Sequence, residues 1–354
     1  MTNIPISDFS ALSSTDVATS DILPIVDLSE ALATDQNKKV TLASIFGCES
    51  PYTFGAFPIT PSSAPTTDYQ VANKKYVDDN SGISTISNGR LTLTTATPVM
   101  TTGVSGATTL YFTPYNGNNI AIYNGSAWVA HTFTELSISL VGLTASTPYD
   151  VFIYNNAGTP TLSLTAWTNT TTRATAIVYQ GGIYVKSGAT GYRYLGTIYI
   201  NSTGGQCDMI FNGGGTNATP AVCGVWNYYN RINLKFILRD TTATSYTTST
   251  WRYYNNNGNN KIQFVCGVKE DAIVTYVFFA LARNQYIGFD YDAATGADDL
   301  YGYIVTSSGA TAMNSSFSDT KPFRDIGAHY LALLQYGQAS GSVAIVTAGI
   351  NINA

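Results

Sequence analysis

The chain has 354 residues, of which 44% are hydrophobic and only 11% are charged, and its formal net charge is −5. Soluble domains usually carry about 25% charged residues, and disorder needs low hydrophobicity together with high charge, so this composition excludes a disordered chain. No basic patch is present to neutralise phosphates, which excludes nucleic acid as a partner. Thr, Tyr, Val and Ile suit pleated sheets and Gly and Asn suit turns, so we expect a folded, mostly β protein.

Residues 1–50 differ from the rest because their apolar positions have no evident core of their own. The segment opens MTNIPISDFS, with neither a basic region nor an apolar run, so no secretory signal is predicted. Pro24 favours an extended chain around Leu23–Val26, and a strand is predicted from Lys38. We expect this segment to anchor the chain by burying its apolar side chains on a neighbouring protein. The anchor residues are Ile6, Phe9, Leu12, Leu23, Ile25, Val26, Leu42 and Phe46.

Residues 51–83 are predicted to be a proline-rich linker followed by a short helix. Four prolines lie within 51–67, and a helix is indicated at 68–80, where Asp68 can serve as the N-cap. One short helix is marginal in water alone, so the pattern fits both a contact between subunits and a helix that lies on its own domain. The apolar side chains near one face of this helix are Tyr69, Ala72, Tyr76 and Val77.

From residue 84 to the end, short strands are predicted between turn residues. The dipeptide Asn124-Gly125 indicates a hairpin, and the glycine-rich segment 204–215 is interpreted as a break. We therefore expect two domains, 84–205 and 206–354, each resembling a β-sandwich or jelly roll. The predicted strands are Arg90–Thr94, Thr109–Phe112, Asn119–Tyr123, Glu135–Leu140, Asp150–Tyr154, Thr161–Ala166, Thr175–Tyr179, Ile183–Lys186, Arg193–Ile200, Asn233–Arg239 and Lys261–Val268.

The longest apolar run, Ala272–Ala282, bears on membrane insertion. It is shorter than the about 20 residues that a membrane-spanning helix needs, so we expect no insertion and interpret the run as one or two buried strands.

Metal and redox chemistry depend on a small set of residues: the cysteines Cys48, Cys207, Cys223 and Cys266, and the histidines His131 and His329. No two cysteines stand in C-x-x-C spacing, so a zinc site is not predicted. We expect free buried thiols, with a disulfide such as Cys207–Cys223 as the alternative. Each histidine is expected in a surface or subunit contact, and no cofactor is predicted.

Three sets of residues resemble bacteriophage structural proteins. The segments Ile6–Leu12, Asp21–Asp27 and Lys38–Ala43 resemble the N-terminal region of phage tail and fibre proteins, and DYQVANKKYVDD at 68–79 resembles a motif near their trimeric stalks. Body segments such as IYNGSAW and VWNYYNR are similar to a β module of phage structural proteins, and Gly327–Leu331 to the closing strand of a trimeric jelly roll. The resemblance implies a virion protein that forms homotrimers and attaches to a tail or capsid protein through residues 1–50.

Residues for catalysis are sparse. The chain has four glutamates, and the adjacent acids Glu270-Asp271 and Asp298-Asp299 would point to opposite faces of a strand rather than form a dyad. No nucleophile elbow, zinc-protease or P-loop motif is present. The acids of 290–299 depart from the calcium-loop template and are interpreted as a polar turn. We therefore predict that the protein is not an enzyme.

Three functions are compatible with these features of the sequence. The favoured prediction is a tail fibre that attaches to the host surface, made in the host cytoplasm and located in the virion. The alternative is a head fibre or capsid decoration protein, and a polysaccharide-degrading tail enzyme is disfavoured. The 25 tyrosines and four tryptophans are interpreted mainly as strand packing and subunit contacts, with a host-surface glycan as a further candidate partner.

Overall fold

The protein is all-β, as the composition predicts. The computed structural model describes residues 22–26, 37–41, 85–214, 219–242, 244–269, 272–283, 285–296, 300–304, 313–323, 325–337 and 342–354. Among these residues no helix reaches seven residues, and a 3₁₀ turn spans Tyr254–Asn256. Within the same ranges, no helix has both the length and the apolar character to cross a membrane.

The chain divides into two compact units, Met1–Val77 and Asp78–Ala354. In the first, β1 (Ile22–Val26) pairs antiparallel with β2 (Asn37–Thr41). The extended anchor residues Leu23, Ile25 and Val26 therefore lie on β1, as predicted for that stretch. The remaining anchor and helix residues lie outside the described part of the chain: Ile6, Phe9, Leu12, Leu42, Phe46, Tyr69, Ala72, Tyr76 and Val77.

The described residues of the second unit form five sheets. The first has the order β10-β9-β13-β12-β11, with β17 also paired to β13. Its strands are β9 (Pro148–Asn156), β10 (Thr159–Ala166), β11 (Ile177–Gln180), β12 (Ile183–Lys186), β13 (Ala189–Tyr199) and β17 (Val225–Asn227). Two smaller sheets comprise β3 (Gly89–Thr92), β5 (Thr109–Pro114) and β8 (Leu136–Ser139), and β6 (Asn119–Tyr123) with β7 (Trp128–Thr132).

The eight-stranded sheet has the order β24-β23-β26-β21-β16-β14-β4, with β20 also paired to β26. Its strands are β4 (Val104–Ala107), β14 (Cys207–Ile210), β16 (Ala221–Cys223), β20 (Trp251–Tyr253), β21 (Lys261–Cys266), β23 (Gln285–Tyr291), β24 (Leu300–Ile304) and β26 (Gly327–Tyr336). Neighbouring strands are antiparallel except β16 and β21, which run parallel.

The remaining sheet has the order β15-β18-β27-β22-β25, with β19 also paired to β27. Its strands are β15 (Asn212–Gly214), β18 (Asn233–Asp240), β19 (Thr244–Ser245), β22 (Ala272–Arg283), β25 (Met313–Phe323) and β27 (Ser342–Asn353). The apolar run at 272–282 thus forms one strand, which confirms its interpretation as a strand.

Turn chemistry explains several hairpins. Asn124 opens the predicted β6–β7 hairpin, and its Oδ1 accepts hydrogen bonds from the backbone N–H groups of Ser126 and Ala127, each at 2.9 Å. Gly181 and Gly182 join β11 to β12 with φ of 56° and 82°, the left-handed pair that a two-residue hairpin requires.

The glycine-rich segment 204–215 contains β14 and β15 rather than an open break. A Cβ on Gly213 would lie 2.3 Å from the backbone nitrogen of Ala221, so this glycine permits close packing of two backbones. The predicted boundary at 205/206 lies inside the second unit, and strands on either side of it share sheets, β4 with β14 and β13 with β17.

Most buried apolar side chains of the second unit belong to one core cluster. Its largest fully buried members come from both sides of residue 205 and include Phe112, Phe152, Trp226, Phe236 and Phe289. Side chains alternate along a strand, so β26 turns Leu331 and Leu333 toward this core and Ala332 and Leu334 toward a second, small cluster. β26 therefore has apolar packing on both faces.

Candidate functional site

A cleft of 420 Å³ opens where β26, β21 and β16 lie side by side. Its volume lies within the range of about 300–1,000 Å³ that is typical of ligand pockets. The residues that line it combine aromatic rings with a few polar groups: Thr170, Thr171, Tyr199, Val222, Cys223, Lys261, Gln263, Phe264, Asp292, Ala328, His329 and Tyr330. No motif or spacing in the sequence predicted this site.

Strand register brings the cleft residues together. Gln263 of β21 lies opposite Tyr330 of β26, and Phe264 lies opposite His329. On the other side of β21, Cys223 of β16 lies beside Phe264. Residues about 40 to 70 positions apart in the chain thus meet through non-local strand pairing.

His329 and Asp292 form the best-defined polar contact of the cleft. His329 Nδ1 lies 2.6 Å from Asp292 Oδ2, and the His329 side chain is only 4% exposed. The other carboxylate oxygen of Asp292 accepts a hydrogen bond from the backbone N–H of Tyr330 at 2.9 Å. The Tyr291 ring stacks on the His329 ring at 5.1 Å, and Phe264 lies 6.2 Å away. The imidazole is therefore held rigidly in the cleft wall.

Asp292 adopts an unusual backbone conformation, with φ of 57°. Its backbone N–H donates to the carbonyl of Tyr330 at 3.0 Å, so main chain and side chain together fix the end of β23 to β26. Such a left-handed conformation is tolerated by Asp more readily than by most residues. The polar turn predicted at this point thus serves to position a carboxylate.

Lys261 supplies the ammonium group of the cleft. It is half-buried, and its Nζ lies 5.2 Å from the centroid of the Tyr330 ring. Burial lowers the pKa of Lys261 because the charged form loses water. Burial, followed by a hydrogen bond with Tyr253, raises the pKa of Tyr330, so the phenol is neutral near pH 7.

The cleft thiol is not an activated nucleophile. Cys223 is fully buried, and burial raises its pKa to about 12, so the group is protonated at neutral pH. Its Sγ donates to the carbonyl of Val225 at 3.6 Å. Cys207, Cys223 and Cys266 are all free and buried, which agrees with the favoured prediction, whereas Cys48 lies outside the described residues.

Within the described ranges, no three His, Cys, Asp or Glu side chains lie close enough together to hold a metal ion. Asp290 is buried, and its Oδ1 accepts a hydrogen bond from the backbone N–H of Tyr291. Asp298, Asp299, Glu270 and Asp271 are not among the described residues. Asp290 and Asp292, the acidic residues of this region that the structure describes, therefore have backbone or histidine partners.

The two histidines occupy different environments. His131 lies half-buried on β7, as expected for a surface position. His329 is buried within the second unit and paired with Asp292, a partner that the sequence analysis did not identify. No local signal could have found it, because the two residues are 37 positions apart.

Aromatic residues also form an exposed patch on the β11–β12 hairpin. Tyr179 is 63% exposed, and its ring stacks on Tyr184 at 4.2 Å. Tyr184 in turn contacts the edge of Tyr228, which lies against Tyr229. Most of these rings pack on one another, in line with their interpretation as strand packing.

Comparison with known proteins does not identify a family. Neither a protein-family model nor a curated protein matches the sequence. Among solved structures, dimeric latent PorU from Porphyromonas gingivalis is similar over 60% of this chain and 20% of its own, with 6% identity and a TM-score of 0.23. The insecticidal delta-endotoxin Cry8Ea1 from Bacillus thuringiensis is similar over 70% of this chain and 49% of its own, with 8% identity and the same TM-score of 0.23.

A virus particle is a third structural neighbour. The infectious bursal disease virus Gx strain structure is similar over 72% of this chain and 73% of its own, with 9% identity and a TM-score of 0.19. The chain spans less than two thirds of PorU and of the endotoxin. TM-scores this low carry no argument about function, so the chemistry of the site must be argued from its own residues.

Proposed function

We propose that this chain is a structural component of a bacteriophage particle, a fibre that is attached to the virion by its N-terminal segment and contacts the host surface. The observation that carries the proposal is the division of the chain. Residues 1–77, which contain the segments that resemble phage fibre anchors, form a compact unit separate from the all-β body. An anchor and a projecting body are the two parts that a fibre needs.

The second unit can fold as a body of its own, because its strands pack on a large apolar core. A cleft lined by aromatic rings, an amide and an ammonium group offers a place for a host-surface glycan. This cleft favours host attachment over a purely decorative role on the capsid, which is the alternative function.

Deletion of residues 1–47 tests the anchor. We expect the shortened chain to remain soluble and folded, because the second unit has its own core, but to be absent from purified particles. The measurement is quantitative immunoblotting of particles from a phage that carries the deletion. The same phage carrying the full-length gene is the control, and equal incorporation of the two chains would refute the anchor.

A further inference from the structure

We infer that the cleft binds an anionic glycan, a polyhydroxylated chain that bears carboxylate or phosphate groups, and that Lys261 recognises its negative charge. The inference rests on the proposed function, since a host-surface polymer is the source of the ligand. It adds the chemical class of that polymer and the residue that selects it.

The positive charge of Lys261 is the first feature of the cleft that points to an anionic ligand. Within the part of the chain that the structure describes, no carboxylate lies within ion-pair distance of Lys261 Nζ. The neighbouring carboxylate of Asp292 is engaged by His329 Nδ1 at 2.6 Å and by the backbone N–H of Tyr330 at 2.9 Å. Both oxygens of the Asp292 carboxylate thus have partners within the protein, and the ammonium group of Lys261 has no carboxylate partner among the described residues.

The environment of the Lys261 ammonium group also points to an anionic ligand. Lys261 is half-buried beside the Tyr330 ring, so it has lost part of its hydration. A partly desolvated cation gains more from an anionic partner than an exposed lysine does, because the local dielectric is lower. A ligand carboxylate or phosphate would restore the interactions that burial has removed.

The uncharged groups of the cleft fit the neutral part of such a ligand. The amide of Gln263 and the hydroxyls of Thr170 and Thr171 line the same cleft and can exchange hydrogen bonds with hydroxyl groups. The rings of Tyr330 and Tyr199 provide apolar surface for carbon-bound hydrogens. A cavity of 420 Å³ with this lining suits part of a polyhydroxylated chain better than a free inorganic ion.

The test is calorimetric titration of the full chain with three oligomers: tetragalacturonate, a glycerol phosphate tetramer, and the neutral galactose tetramer. We expect at least one anionic oligomer to bind roughly tenfold more tightly than the neutral one, as a charge-assisted hydrogen bond predicts. Binding of tetragalacturonate would identify carboxylate as the acidic group that the cleft recognises, and binding of the glycerol phosphate tetramer would identify phosphate. Added salt should weaken the anionic interaction selectively.

Three variants assign the effect to one residue. Lys261→Gln should lose the preference for the anionic oligomer, whereas Lys261→Arg should keep it. Lys235→Gln removes an exposed lysine of β18 outside the cleft and should change nothing. The salt series on the unmodified protein keeps the test decisive if Lys261→Gln fails to fold.

The inference is overturned if no anionic oligomer binds, if the neutral tetramer binds equally well, or if Lys261→Gln binds the anionic oligomer like the unmodified chain. The proposed function is tested separately, by the presence of the chain in purified particles. If the chain is found in particles but binds none of the three oligomers, the proposed ligand of the cleft is wrong and the proposed fibre function is still supported.

Discussion

Backbone geometry at single glycines shapes the candidate cleft. Gly327 begins β26 with φ of +121°, and a Cβ there would lie 2.2 Å from the carbonyl oxygen of Thr170. Thr170 lines the cleft and accepts a hydrogen bond from the backbone N–H of Ala328 at 2.8 Å. Gly125 has a similar φ of +101°, but no atom lies within 4 Å of its Cβ position.

Gly327→Ala is therefore expected to destabilise the second unit by about 1–3 kcal/mol more than Gly125→Ala, because both variants strain the backbone but only one forces a backbone clash. Urea denaturation of the two variants measures the difference. Equal losses of unfolding free energy would show that the 168–171 segment moves aside without cost.

Some residue-scale features follow from the sequence and others do not. The turn at Asn124-Gly125 is local, so its residue types were sufficient to predict it. The free thiols follow from composition, since no spacing indicated a metal or redox site. The Asp292–His329 contact depends on β23 and β26 lying side by side, and no single-sequence pattern encodes that pairing.

At the scale of elements, Arg193 joins β13 to the β6–β7 hairpin. Its side chain is fully buried, and Nη1 donates to the carbonyls of Ile86 at 2.9 Å and Ala121 at 2.8 Å. The guanidinium lies 4.5 Å from the Tyr229 ring and 5.5 Å from the Trp128 ring. One cation thus bridges two sheets through hydrogen bonds and aromatic faces.

Replacement of this cation should loosen the hairpin. We expect Arg193→Met to cost about 2–3 kcal/mol of unfolding free energy, since the carbonyls of Ile86 and Ala121 lose a charged donor. Arg239→Met removes an exposed arginine of β18 and serves as the matched control, with an expected cost near zero. Guanidinium unfolding followed by tryptophan fluorescence measures both, and similar midpoints would refute the bridging role.

Many strands of the second unit were predictable from the sequence, but their arrangement was not. Ile183–Lys186 and Asn119–Tyr123 form as predicted because β-branched and aromatic residues lie between turn residues. β14 and β15 were missed because glycine suggested a break, whereas Gly213 permits close approach to Ala221. Sheet order depends on non-local pairing such as β4 with β14, which local patterns do not specify.

At the scale of the whole molecule, the proposed fibre consists of an N-terminal unit and an all-β second unit, and identical chains are expected to assemble. The assembly is predicted from the sequence of 68–80, which lies outside the described residues. Replacing Tyr76 and Val77 with Asp places charges on the helix face that is expected to join the subunits, so the oligomer should dissociate. Light scattering measures the mass, and an unchanged mass would show that this face is not an interface.

The central claim is that the chain belongs to a virus particle. It is tested most directly by immunogold labelling of intact, purified particles with an antibody raised against residues 216–354. The account predicts gold at the tail, with the label displaced outward from the attachment point. Gold around the head would instead support the capsid fibre or decoration alternative and remove the argument for host attachment, and particles without gold would contradict the proposal that this chain is a virion component.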